Sequence, residues 1–275
     1  MNKLTKEKRV AILTALVEGN SMRSVSRMAG VSINTVTKLL VDAGRAALEF
    51  NERTMVNLKL RHIQCDEIWS FVGMKEKNVP EGRKGQGVGD VWTWTAIDAD
   101  TKLVPCWLIG TRDAECASEF MGDLASRLAH RVQLTTDGHK AYLSAVEGAF
   151  GGAVDYSMLV KLYGDAPGNS NEARYSPGEC CGTKKTPVCG MPDAKHVSTS
   201  FVERQNLTMR MSMRRFTRLT NGFSKKAENL SHAVALHFFN YNFCRTHKTL
   251  GKTPAMAAGL TPTPATLGDL VDTLE

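Results

Sequence analysis

Asp66, Asp137 and Glu203 are the residues of this sequence whose types and surroundings could do chemistry. Asp66 sits in Gln64-Cys65-Asp66-Glu67-Ile68-Trp69-Ser70-Phe71, a charged pair inside an otherwise alternating, apolar run. Such a pair is costly to bury unless something compensates it. Asp137 closes Leu134-Thr135-Thr136-Asp137-Gly138, where Gly138 permits a sharp exit. Taken singly, each aspartate reads as a strand-end cap or turn residue. If their strands are neighbours, the two carboxylates meet and must bind cations or shift their pKa values. Glu203 strengthens the case because its segment has a legible helical wheel. At about 100° per residue, Arg210, Arg214 and Arg218 lie at about −20°, +20° and +60° from Glu203, while Phe201, Val202, Met209, Met213, Phe216 and Leu219 gather on the opposite side. One acid then shares a stripe with three arginines, and no other acid occurs between Ser200 and Leu219. Three carboxylates converging beside a row of arginines describe a site for phosphoryl transfer on nucleic acid. Two hard cations such as Mg²⁺, bound by carboxylate oxygens, would serve the attacking and leaving oxygens, and the arginines would hold phosphates.

The elements that must position these groups change character along the chain. The first 50 residues read as helices. Ile12, Leu13, Leu16 and Val17 form one apolar face, Gly19 and Asn20 end that helix, and Ser21 can cap the next. Val25, Ser26, Ala29, Gly30, Val31, Val36 and Leu39 then fall at helix-turn-helix spacing, with Gly30 at the turn and Ser32 as the second cap. That leaves Asn34, Thr35, Thr37 and Lys38 to face outward and touch DNA. A plain helical hairpin is the bland alternative. After a helical connector over 45–60 the pattern becomes strand-like, with runs at His62 to Val72, Val91 to Asp98 and Leu103 to Gly110. Helix over 114–131, strand over 132–137, helix over 139–150 and strand over 154–163 follow. Three antiparallel strands and then helix, strand, helix, strand describe an α/β sheet of the ribonuclease H type. Residues 164–195, rich in Gly, Pro, Asn and Ser, read as one long loop. Its Cys180, Cys181 and Cys189 fit zinc poorly, since adjacent cysteines match no common ligand pair. Helices are expected over 200–219 and 225–246. The division is a helix-turn-helix domain at 1–50, a connector at 51–61, a catalytic domain at 62–250 and a tail at 251–275.

Lys and Arg number 35 against 28 Asp and Glu, for a net charge of +7 among 275 residues. That sign favours a polyanionic partner, nucleic acid first. No apolar run approaches the ~18 to 20 residues of a membrane span, so neither a membrane partner nor secretion is expected. The seven cysteines are an odd number, which points to a reduced cytoplasmic compartment over a disulfide framework.

With those residues in place, "CDEIWSF" around Asp66, "TTDGHKAY" around Asp137 and "STSFVERQNLTMRMSMRRFTRLTN" around Glu203 resemble the motifs of bacterial insertion-sequence transposases of the DDE class. The resemblance runs from the helix-turn-helix to "RTHKTLGKTPAMAAG". It implies an RNase H-like catalytic domain, Mg²⁺ or Mn²⁺ dependence with two ions, and an acidic metal-binding triad at Asp66, Asp137 and Glu203. It further implies DNA as partner, both the element's terminal repeats and its target, strand cleavage and transfer, a homo-oligomeric active complex and a nucleoid-associated location. Some relatives carry a cysteine zinc finger ahead of the helix-turn-helix, and this sequence lacks those cysteines.

Around the triad, Glu67 should point to the opposite face of its strand by alternation, which makes it a supporting residue. Asp98 suits a turn. His139 and Lys140 stand close enough to Asp137 to touch phosphate, and Arg204 and Asn206 could help hold the strand. Trp92 and Trp94 share one face and are expected in the core. Two other functions would use part of this pattern: a helix-turn-helix regulator without catalysis, and an RNase H-like nuclease without sequence preference.

Overall fold

The computed structural model describes residues 4–164, 180–217 and 220–274. Three helices open the chain: α1 (Lys6–Val17), α2 (Met22–Ala29) and α3 (Ile33–Thr54). Each begins where a hydroxyl can replace the missing helical acceptor. Thr5 accepts from the Lys8 amide, Ser21 from Ser24 and Ser32 from Thr35, and each such cap contributes about 1 kcal/mol. Gly30 ends α2 in the left-handed region (φ 60°), which a glycine adopts without steric cost. Ser26 Oγ then donates to the Val31 carbonyl and closes the turn. α3 runs unbroken for 22 residues, through the second helix of the pair and into the connecting segment as far as Thr54.

The sheet has the order β3-β2-β1-β4-β5-β6. Its strands are β1 (His62–Val72), β2 (Gly89–Asp98), β3 (Trp107–Gly110), β4 (Val132–Thr136), β5 (Val154–Tyr163) and β6 (Cys180–Cys189). β1, β2 and β3 pair antiparallel, β1–β4 and β4–β5 pair parallel, and β6 returns antiparallel along β5. The molecule is therefore a mixed α/β protein. β6 corrects the expectation of one long loop over 164–195. It is an edge strand whose residues are mostly exposed, so it carries none of the apolar alternation that marks a half-buried strand. Residues 165–179 of that expected loop lie outside the described residues.

Alternation along β1 divides the interior. Ile63 and Cys65 face α4 (Ala114–Arg127) and α5 (Ala141–Phe150), whose Phe120, Leu124, Tyr142 and Val146 join the same buried cluster. Ile68 and Val72 face the other way, onto α6 (Ser200–Ser212) and α7 (Ala227–Phe239) through Val202, Met209, Val234 and Phe238. The first cluster continues into α1, α2 and α3, and α3 lies along α7 so closely that a Cβ on Gly44 would stand 2.4 Å from His232 Cβ. Beyond α7, five residues of wider helical turn (Asn240–Cys244) lead to α8 (Pro254–Ala257) and α9 (Leu267–Asp272). α9 packs against α1. No helix among the described residues is long and apolar enough to cross a membrane.

Candidate active site

The register of the sheet brings the two aspartates together. Cys65 pairs with Thr136 across the parallel β1–β4 ladder, so Asp66 and Asp137 stand one step further along at the same level. Asp66 points to the α6 face, where Asn206 Nδ2 donates to its Oδ2 at 2.9 Å, and its Oδ1 accepts the Glu67 amide at 2.8 Å. Asp137 leaves β4 at the rim, and its Oδ1 accepts the His139 amide at 2.9 Å. Glu67 points to the opposite face, as alternation requires, with its side chain 1% exposed. At the rim Asp137 is within reach of both acids: one carboxylate oxygen each from Asp66, Glu67 and Asp137 lie within 4.8 Å of one another.

Glu203 enters from α6 and lines the same cavity of about 730 Å³, together with Asp66, Asp137, Arg112, Lys140 and Lys161. It is not a member of the tight group of three. Its Oε2 pairs with Lys161 Nζ at 2.5 Å and its Oε1 accepts from Thr199 Oγ1 at 2.7 Å. The mutually close acids are thus Asp66, Glu67 and Asp137, where the sequence pattern singled out Asp66, Asp137 and Glu203.

Charges in this cavity are only partly balanced. Arg112 donates from Nε to Glu67 Oε2 at 3.0 Å and reaches Asp137 Oδ2 at 3.5 Å from Nη2, with its guanidinium 4.9 Å from the centre of the Trp92 ring. Counting Glu67 behind the rim, four carboxylates thus stand against three cations, Arg112, Lys140 and Lys161. Two carboxylates separated by 4 to 5 Å repel by about 3 to 4 kcal/mol at an effective dielectric of about 20. Burial, and after it the charges of Glu67 and Asp137, push the Asp66 carboxyl up to about 7. Burial likewise raises Glu67, against the opposing pull of Arg112. A donor set of hard, mutually repelling oxygens fits a divalent cation such as Mg²⁺ or Mn²⁺. Among the described residues this is the one group of three or more His, Cys, Asp or Glu able to hold a metal.

The remaining expected residues separate. His139 and Lys140 line the cavity. The His139 ring lies 5.8 Å from Trp94 and 6.0 Å from Tyr142, and burial lowers its pKa. Arg204 is exposed, whereas Asn206 is buried and committed to Asp66. Arg210 lies on α6. The arginine stripe does not continue as an α-helix: α6 stops at Ser212, Met213 is extended (φ −128°, ψ 109°), and Arg214–Phe216 form a separate 3-10 turn. The Gly19 turn packs over the Met211 and Ser212 backbone, where the next helical turn would run. Arg214 consequently lines a different cavity, and Arg218 lies outside the described residues. Phe201, expected in the core, is 38% exposed beneath the Lys102 amine.

On α3, Asn34 and Lys38 are exposed and Thr35 is partly so. Lys38 pairs with Asp42 at 2.7 Å, Thr35 Oγ1 is within 2.9 Å of Ser32 Oγ, and Thr37 Oγ1 donates to the Ile33 carbonyl. Thr37 faces the cavity that Arg214 lines. Asp98 is a turn residue, accepting from the Arg61, His62 and Thr101 amides. Trp94 is fully buried, and Trp92 only partly. Sequence reasoning missed Arg112 and Lys161. The signal for the first was the need of a buried Glu67 for a cation; the second lies on β5, just past the level of Asp137.

No family model and no curated protein matches the chain. Among solved structures, the "Crystal structure of a pre-cleavage Mos1 transpososome" is similar at 11% identity, over 57% of this chain and 60% of that one, with a TM-score of 0.22. The chain therefore spans less than two thirds of that protein's length, and a likeness of this size carries no argument about fold or chemistry.

Proposed function

We propose that the chain is a DNA transposase of the DDE type, which binds the ends of an insertion sequence and catalyses metal-dependent strand cleavage and transfer. The observation that carries this reading is the meeting of Asp66 from β1, Asp137 from the end of β4 and Glu203 from α6 on the wall of one cavity. The strand order agrees with an RNase H-like sheet, with an antiparallel β3-β2-β1 half followed by parallel β4 and β5. The motifs around the three acids add the resemblance described above.

In this reading Asp66 and Asp137 hold the divalent ions, Glu203 completes the set from α6, and Glu67 supports them from the opposite face. The bound ions would serve both the attacking and the leaving oxygen of the phosphodiester. Asn206 fixes the Asp66 carboxylate, and Arg112 ties Glu67 to Asp137 across the rim. Lys161 pairs with Glu203 at the cavity wall. Lys140 and His139 at the mouth, with Arg204 and Arg210 on α6, offer positive charge and hydrogen bonds to DNA phosphates. The α2–α3 pair forms the end-reading domain, with Asn34, Thr35, Thr37 and Lys38 as its contacts. Terminal repeats and target DNA are the partners, in a homo-oligomeric complex.

The test is incubation of the purified protein with labelled DNA carrying the element's terminal repeats, against scrambled DNA of equal length. End-specific cleavage with Mg²⁺ or Mn²⁺, abolished by a chelator, is the expected result. Specific binding without cleavage would make the chain a regulator, and cleavage of arbitrary DNA or RNA would make it a general nuclease.

A further inference from the structure

A second cavity, of about 700 Å³, lies between the amino-terminal helices and residues of two later stretches, 213–215 and 221–237. Its walls are of two kinds. Leu16, Val17, Ile33, Leu40 and Phe223 supply apolar surface, while Arg23, Arg214, Arg215 and Lys225 supply four cations, and among the described residues no carboxylate lines it. Arg215 is the cation turned inward. Its guanidinium donates to Ser224 Oγ at 2.5 Å and touches Met22 Sδ at 3.2 Å, with no acidic partner among the described residues. His237, 3% exposed, also lines the cavity, and neither ring nitrogen has a hydrogen-bond partner. A half-buried cation without a counter-charge and an unsatisfied buried imidazole both cost stability unless a ligand answers them. Burial alone pulls the Arg215 pKa down to about 10, as expected where no anion stands beside it.

We infer that this cavity is a nucleotide-binding site, taking a phosphate on Arg215 with Arg214 and Lys225, and a base or sugar against the apolar wall around Phe223. The ligand must be anionic to answer the cations and partly apolar to cover the remaining wall, and a nucleotide is both. The phosphate can come from a free mononucleotide or from an unpaired nucleotide of a DNA strand. The site is separate from the acidic cluster and needs no metal.

Calorimetric titration of the full chain, with a chelator present to silence the acidic cluster, tests this. Adenosine 5′-monophosphate should bind saturably, and adenosine, which lacks the phosphate, at least tenfold more weakly. Arg215→Gln should weaken the nucleotide at least tenfold. Because a half-buried substitution can disturb folding, the exposed pair Arg214→Ala/Lys225→Ala is the second variant, and it should weaken binding at least fivefold with an unchanged circular dichroism spectrum. Displacement of the nucleotide by a short single-stranded oligonucleotide would assign the site to DNA; nucleotide binding that resists the oligonucleotide would assign it to free nucleotide. Equal binding of adenosine and its monophosphate, no saturable binding, or affinity unchanged in the folded double variant would overturn the inference.

Discussion

Glu67 is a carboxylate buried to 1% side-chain exposure, and Arg112 makes that tolerable. Removing the arginine leaves this buried acid without its charged donor. Arg112→Ala should therefore destabilise the fold by about 2 kcal/mol, read as a lower urea midpoint at constant slope. Glu67→Gln should recover part of the loss in the double variant, because the arginine's partner is then neutral. An unchanged midpoint would mean that Glu67 is satisfied by another route. Asn206 offers a second test at this scale. If it orients Asp66, Asn206→Ala should slow cleavage by about 10- to 100-fold, the usual cost of losing a group that orients a metal ligand, while end binding stays intact. A drop in DNA affinity with cleavage per bound complex unchanged would return Asn206 to the DNA-contact role that its sequence position suggested.

Elements with strong local patterns were the legible ones. β1 runs over His62–Val72, as its alternation predicts, and Ser21, Gly30 and Ser32 punctuate the first helices where their chemistry demands. The meeting of Asp66 with Asp137 was legible too, because it follows from strand adjacency alone. Legibility failed where tertiary contact overrides local preference. Nothing in Ser200 to Leu219 marks a helix end, yet the Gly19 turn occupies the space beyond Ser212, and Arg214 leaves the stripe it was expected to share with Glu203. β6 failed for the opposite reason, since an exposed edge strand has no buried face to pattern. The close approach of α3 to α7 was equally hidden, because Gly44 looks like a weak point of a helix until its neighbour is known. A Cβ there would stand 2.6 Å from both Cα and the carbonyl oxygen of His232, which cannot rotate away. Gly44→Ala gains about 1 kcal/mol of helix propensity but should still be net destabilising by about 1 to 2 kcal/mol through overpacking. Thermal unfolding checks the sign, and a rise in Tm would show that the two helices can part at no cost.

At the scale of the whole molecule, buried titratable groups tie stability to pH in opposite directions. His237 is held neutral by burial, with a pKa lowered from 6.5 to about 3. Below pH 6.5 the unfolded chain takes up a proton that the folded chain refuses, so stability falls as pH drops from 6.5 toward 3. Asp66 does the reverse. Its carboxyl is raised from 3.8 to about 7, so in the metal-free protein it favours the folded state as pH drops through that range. The His237 contribution is isolated by comparing wild type with His237→Phe in urea at pH 7 and pH 5. The variant should gain relative to wild type at the lower pH, and an equal difference at both would show that the ring is not buried neutral. The same comparison with Asp66→Asn should give the opposite sign.

The central claim is that Asp66, Asp137 and Glu203 act as one metal-holding unit on DNA. Cleavage of labelled terminal-repeat DNA by wild type, Asp66→Asn, Asp137→Asn, Glu203→Gln and the paired double variants tests it most directly, with end binding measured on the same preparations. Each single substitution should nearly abolish cleavage in Mg²⁺ while end binding persists, and a second substitution should add little, because groups that act as a unit fail together. Ca²⁺, with its looser coordination, should not replace Mg²⁺. Wild-type cleavage rates in Asp66→Asn or Glu203→Gln would contradict the account and leave the acids a structural role.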